Sequence, residues 1–313
     1  MSLTVRQSYA WQQFEDEKYA ARAHQIPGLV HFVVPGAAAT HFTFVKNRHK
    51  RVYTTVALAL ADCVASRGDA IVLLPGAHTV ATASLAMSKA GVSIWGPEAW
   101  TGLNKPQKPS ASLTTSVAAD QIMNITAADC AVIGVNVVPI TQAAGIDFSA
   151  AAHRLLIQDC FIDMATPAVH ASTAGIDATG AAQDVVIQRC VWECDGASGA
   201  ALDMTATINS LVEDCEFIVT AGTWVVAVTT GAATTGLRIR RPRFVTVGAG
   251  VITFGVSGTG ATISSGVLFE DGRAGAGVTK MIDNYDAAEA ELVECYQASI
   301  GGGSGGVLIT AIT

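Results

Sequence analysis

The sequence predicts an all-β protein: a single-stranded, right-handed parallel β-helix, a solenoid fronted by a short N-terminal helical and arm module. Two recurring strand patterns and one charge alternation predict it. The first pattern reads Gly145-Ile146-Asp147-Phe148, Gly175-Ile176-Asp177-Ala178 and Ala201-Leu202-Asp203-Met204. Weaker copies follow at Val225-Val226-Ala227-Val228, Val251-Ile252-Thr253-Phe254 and Met281-Ile282-Asp283-Asn284. From Ile146 through Ile176, Leu202, Val226, Ile252 and Ile282 the steps are 30, 26, 24, 26 and 30 residues.

The second pattern trails the first by about ten residues. It reads Leu156-Ile157-Gln158-Asp159-Cys160, Val186-Ile187-Gln188-Arg189-Cys190 and Leu211-Val212-Glu213-Asp214-Cys215, then Arg238-Ile239-Arg240-Arg241-Pro242 and Leu292-Val293-Glu294-Cys295. Clusters of Gly, Ala, Thr and Ser between the patterns are turn composition. A propeller would need four strands in each repeat of about 40–45 residues, which this period excludes.

Parallel coils stack about 4.8 Å apart, so each residue meets its copies above and below. The isoleucines and valines then point inward. Cys160, Cys190 and Cys215 form an inward thiol column, with Ile162, Trp192, Phe217 and Phe244 packing two residues on. Asp159, Arg189, Asp214 and Arg241 alternate in sign from coil to coil, the order an in-register ladder prefers.

Ahead of the solenoid, Val52 to Asp69 has helical spacing, with Val56, Leu58, Leu60, Cys63 and Val64 on one side and Thr54 or Thr55 as cap. Ala70-Ile71-Val72-Leu73-Leu74 reads as a buried strand stopped by Pro75-Gly76. The expected organisation is a basic attachment arm over 1–51, a capping helix and entry strand over 52–80, and the β-helix with a C-terminal strand tail over 81–313. Arg67-Gly68-Asp69 reads as the turn between helix and strand. In the tail, Ser299 to Gly306 is a flexible reach, and Val307 to Thr313 a strand that caps its own last coil or pairs with a neighbour's edge.

The run Arg67-Gly68-Asp69-Ala70-Ile71-Val72-Leu73-Leu74-Pro75-Gly76-Ala77-His78, followed by Ala90-Gly91-Val92-Ser93-Ile94-Trp95-Gly96, resembles the entry segment of pectin-lyase-like β-helices. It is especially similar to the versions found among tailed-bacteriophage virion proteins. The resemblance covers roughly residues 52–300 in organisation. It implies the fold, a homotrimer, and a place on a virion assembled in the host cytoplasm. It leaves activity open, because that superfamily holds lyases, hydrolases, tailspikes and inert structural proteins.

Of 313 residues, 50% are hydrophobic and 14% charged, without 18 consecutive apolar residues, so no membrane span is expected. Met1 to His24 has no apolar core of the kind secretory signals carry. Residues 1–51 hold seven Lys/Arg and three Asp/Glu, net +4; the remainder holds twelve and twenty-three, net −11. A basic head on an acidic body suits docking on something acidic, here the major capsid protein of a phage shell, through Lys46, Arg48, His49, Lys50 and Arg51. The run lacks interleaved aromatics, so no nucleic-acid partner is expected. Seven cysteines, an odd number, argue against a disulfide framework. Cys190 and Cys194 alone are closely spaced and read as small buried hydrophobes.

A sugar-cleaving solenoid needs paired carboxylates on one outer face. Asp147, Asp177 and Asp203 are the candidates, either catalytic, cation-binding, or simply polar residues on the solvent side of a strand. Aromatics are 6% of the chain, and residues 109–237 hold two basic side chains, Arg154 and Arg189. Trp192 reads as core and Trp224 as exposed. His31, His41 and the other head histidines read as surface groups, with no third ligand for a metal evident. Arg238, Arg240, Arg241 and Arg243 form a late basic patch that either neutralises neighbouring acids or meets another subunit. These features favour a non-catalytic virion protein without cofactor or metal, a capsid decoration (cement) protein. The alternative is a tailspike-like or fibre-like receptor-binding depolymerase.

Overall fold

A computed structural model describes residues 28–36, 51–81, 84–96, 108–115, 121–139, 144–164, 174–178, 180–195, 199–231, 233–259, 267–283, 290–293, 295–298 and 306–308. Short strands of alternating inward apolar and outward polar residues wind into a right-handed parallel β-helix with three sheets. In a typical coil, Leu156–Gln158 lies in the first sheet, Phe161–Met164 in the second and Ala174–Asp177 in the third. The next coil repeats the order with Val186–Gln188, Val191–Cys194 and Ala200–Asp203. Every pairing between coils is parallel.

The corner between first and second sheets is one residue in the left-handed region followed by one buried residue. Gly134, Asp159, Arg189, Asp214, Arg241 and Asp271 hold φ of 64°, 54°, 52°, 53°, 49° and 48° there. The strain, about 1–2 kcal/mol for a residue with a Cβ, is offset by ion pairs between coils. Arg189 Nε and Nη2 donate to Asp159 at 2.7 and 3.0 Å, and Arg241 grips Asp214 at 2.6 and 2.9 Å. The expected charge ladder is therefore present. Behind it, Cys160, Cys190 and Cys215 are buried in one column, and the Cys190 thiol donates to the Gln188 and Ile157 carbonyls at 3.4 and 3.7 Å.

A second left-handed column marks the corner between third and first sheets: Asp129, Arg154, Asp184, Asn209 and Gly236, with φ of 59°, 54°, 54°, 50° and 61°. Arg154 donates to Asp129 at 2.6 and 2.8 Å. Its periodicity is masked in the sequence by the Asn and Gly that replace charge.

Inside, Trp192, Phe217 and Phe244 stack with centroids 4.8 and 5.3 Å apart. They need room from the facing third sheet. A Cβ on Gly175 would sit 2.9 Å from the Trp192 ring and 2.7 Å from the Ala201 carbonyl oxygen. Trp224, expected at the surface, is fully buried and donates from Nε1 to the Gly199 carbonyl at 2.6 Å. The weak repeats also pair differently from the sequence expectation. Leu202 meets Val228, not Val226, and the column continues through Val256 to Ile282. Within a nine-residue strand such as Thr223–Gly231, period-two alternation leaves register to neighbouring contacts.

At the head, the helix is shorter than its pattern, Val56–Asp62, with Thr55 accepting from the Leu58 amide at 3.3 Å as N-cap. Val56, Ala59, Leu60 and Cys63 face the core, whereas Leu58 and Val64 are exposed. Lys89 Nζ donates to the carbonyls of Leu60, Ala61 and Cys63 at 2.9, 2.6 and 2.6 Å, closing the helix C-terminus with a cation. Val30–Val33 pairs in parallel with Ala70–Leu73 on one edge and with Val52–Tyr53 on the other, extending the first sheet beyond the entry strand. At the far end Gly306–Leu308 folds back antiparallel on Tyr296–Ala298, so the tail caps its own last coil.

Candidate functional site

The outer face of the third sheet carries one in-register column. Cα partners run Ala86, Asn124, Asp147, Asp177, Asp203, Thr229, Ser257 and Asp283. Three consecutive carboxylates thus stack at strand spacing, about 4.8 Å per step. The alternation of each strand forces this: Ile146, Ile176 and Leu202 point into the core, so the next residue points out.

The site is partly shielded. Burial, then the Asp177 charge, pushes the Asp147 carboxyl up from its ordinary value. Asp203 is pushed up first by burial and also by Asp177, against the Thr205 amide that donates to it at 3.0 Å. Gln121 Nε2 lies 3.5 Å from Asp147 Oδ2. The connections to these strands run from Thr115 to Met123, Val138 to Ile146 and Met164 to Ala174, ahead of Asn124, Asp147 and Asp177. They shorten from Cys194 to Ala200, ahead of Asp203, and from Val219 to Thr223. At the head end of the same face, a cavity of about 480 Å³ is lined by Thr55, Leu60, Thr79, Leu85, Ala86 and Lys89.

The basic side chains of these coils are committed at the corners: Arg154 to Asp129 and Arg189 to Asp159. The late basic patch neutralises acids of adjacent coils. Arg238 and Arg240 pair with Glu270, Arg240 and Arg241 with Glu213, Arg241 with Asp214, and Arg243 with Glu216. Of the basic docking run, Arg51 is exposed, while Lys46, Arg48, His49 and Lys50 lie outside the described residues.

The head contains a polar cluster that the sequence reading missed. His31, expected at the surface, is fully buried beside Cys63 and Asp69. Their ligand atoms lie within 4.8 Å of one another, the single group of this kind among the described residues. Asp69 accepts from Arg67 Nε and Nη2, both at 2.6 Å, and from the amides of Leu29 and Val64, both at 2.8 Å. Arg67-Gly68-Asp69 is thus the turn expected, with the carboxylate turned inward. The pattern that signals it is the apolar setting of Asp69, directly before four buried strand residues.

No known family's sequence profile matches the chain, and no curated protein matches it. Solved structures do match in fold. A pectin methylesterase variant in complex with a hexasaccharide superposes with a TM-score of 0.59 at 12% identity, covering 88% of this chain and 90% of that one. The pectin methylesterase from Aspergillus niger gives 0.57 at 12% identity, covering 88% and 87%. That from Yersinia enterocolitica gives 0.51 at 9% identity, covering 81% and 92%. The chain has the pectin-lyase type of β-helix.

This corrects the expectation of a non-catalytic protein. Over nearly its whole length, the chain has the fold of carbohydrate-active enzymes.

Proposed function

We propose that this protein is a carbohydrate-active β-helix enzyme that cleaves a polysaccharide on the third sheet, through Asp147, Asp177 and Asp203. The observation that carries this reading is the column itself: three half-buried carboxylates, in register on the third sheet. The pectin methylesterase likeness supports a sugar polymer as the class of substrate.

Roles follow from environment. Asp147, whose carboxyl is pushed up by burial and by its neighbour's charge, is the general acid that protonates the leaving oxygen. Asp177, one strand spacing away, is the nucleophile. Carboxyls about 5–5.5 Å apart accompany retention of configuration, and wider pairs of about 6.5–9.5 Å accompany inversion. Adjacent coils therefore select the retaining course. The resemblance of the entry segment to phage β-helices supports a tailspike-like setting for this activity.

The test is a panel of bacterial and plant polysaccharides, followed by reducing-end release and by NMR of the first product anomer. Cleavage with retention, lowered by about 10²–10⁴-fold in Asp147→Asn and Asp177→Asn with the fold unchanged, supports the reading. Cleavage that survives both substitutions overturns the site.

A further inference from the structure

The head cluster has a chemistry that its hydrogen bonds decide. Tyr53 Oη donates its single proton to Asp62 Oδ2. It can then only accept from His31, whose Nδ1 lies 3.2 Å away, so Nδ1 carries the imidazole proton. That leaves Nε2 as a bare lone pair. It is fully buried, has no hydrogen-bond partner, and lies 3.8 Å from Asp69 Oδ2. A lone pair facing a carboxylate oxygen in a buried site asks for a positive charge between them.

We propose that His31 Nε2, Cys63 Sγ and Asp69 Oδ2 form a zinc site that staples the N-terminal strand and the capping helix to the first coil. The three atoms come from three separate segments: strand Val30–Val33, the C-cap of helix Val56–Asp62, and the residue before strand Ala70–Leu73. Nitrogen, sulfur and oxygen ligands suit a borderline-soft ion that accepts tetrahedral geometry. Bonds of about 2.0–2.3 Å place tetrahedral ligand atoms within roughly 4 Å of one another. The His31–Asp69 separation already satisfies this, and Cys63 needs only a small approach.

Binding forms the zinc–sulfur bond and releases to solvent the Cys63 thiol proton, which in the free protein is hydrogen-bonded to the Ala59 carbonyl at 3.2 Å. Thiolate and carboxylate together balance the ion's two charges. Asp69 Oδ2 exchanges Arg67 Nη2 for the ion, while Oδ1 keeps Arg67 Nε and the Leu29 amide. The Tyr53–Asp62 pair is the outer shell that fixes the ring, and water completes the coordination.

The experiment loads the full chain, stripped with a chelator, with zinc and separately with cobalt(II) as a spectroscopic probe. One zinc per chain, a cobalt–thiolate charge-transfer band and a raised melting temperature are expected. Cys63→Ser should abolish the band. Tyr53→Phe, which leaves all three ligands, should weaken zinc binding by about 10–100-fold. Circular dichroism confirms that each variant is folded; if Cys63→Ser is not, Tyr53→Phe and His31→Gln decide. Absence of stoichiometric zinc in the wild type, or a band that persists in folded Cys63→Ser or His31→Gln protein, overturns the site.

Discussion

Asp177 sits between two acids, and this position has a measurable consequence for stability. Folding raises the carboxyls of Asp147 and Asp203 above their unfolded value of 3.8, chiefly by burial and in part by the Asp177 charge. A carboxyl with a raised folded value stabilises the native state in acid. That contribution is lost as pH rises through the folded value, so the column opposes folding at neutral pH. Asp177→Asn should therefore raise the melting temperature at pH 7, by the equivalent of about 0.2–1 kcal/mol for each like-charged neighbour relieved. The gain should shrink as pH falls toward and below 3.8, because the Asp147 and Asp203 carboxyls, raised in the folded state, become protonated and no longer repel Asp177. Thermal melts of wild type and variant across that range check it, and stabilisation together with lost activity would mark the column as functional. All three acids were legible in the sequence because every strand that bears them has the same alternation. Their partial burial was not, since it is set by packing around the column and not by the alternation of the strand.

At the scale of the element, the corner between first and second sheets is where local and long-range requirements meet. Arg189 has a positive φ and an ion pair with Asp159. Arg189→Gly loses the pair but gains backbone ease, so it should change stability by less than about 1 kcal/mol. Arg189→Val loses the pair and places a β-branched side chain in the left-handed region, at a cost of about 2 kcal/mol or more. Denaturant titration of the two variants separates them. The facing third-sheet glycine is less tolerant. Gly175→Ala drives a methyl into Trp192 and the Ala201 carbonyl, and should cost about 1–3 kcal/mol by the same measurement. The charge alternation and the thiol and aromatic columns were readable because each occupies one position per repeat. The register beyond Leu202 was not, because Val226 and Val228 are equally apolar and only packing against the next coil chooses between them.

Over the whole molecule, coils touch only their neighbours, so stability is the sum of local terms and rung-to-rung interfaces. The head and the last coil are where such an array frays. Lys89, which closes the capping helix through three carbonyls, should matter to the first coils alone. Lys89→Ala should speed amide hydrogen exchange in Ala70–Leu73 while leaving Leu211–Glu213 unchanged. Equal acceleration in both strands would show that the solenoid opens as one unit. The Val30–Val33 strand was the least legible part of this head. Its partners lie twenty and forty residues away, at Val52–Tyr53 and Ala70–Leu73, and no repeat announces them.

The charge ladder at that corner also has a parity. Asp159, Arg189, Asp214 and Arg241 alternate, so the unit that reproduces itself electrostatically is a pair of coils rather than one. Excising the single coil that carries Arg189 would set Asp159 directly beneath Asp214, two like charges at one rung spacing. Excising that coil together with the next would bring Asp159 beneath Arg241 and restore an attractive contact. Chains of this lineage should therefore lengthen or shorten most readily by even numbers of coils, and an engineered mini-solenoid cut from this region should keep the same rule.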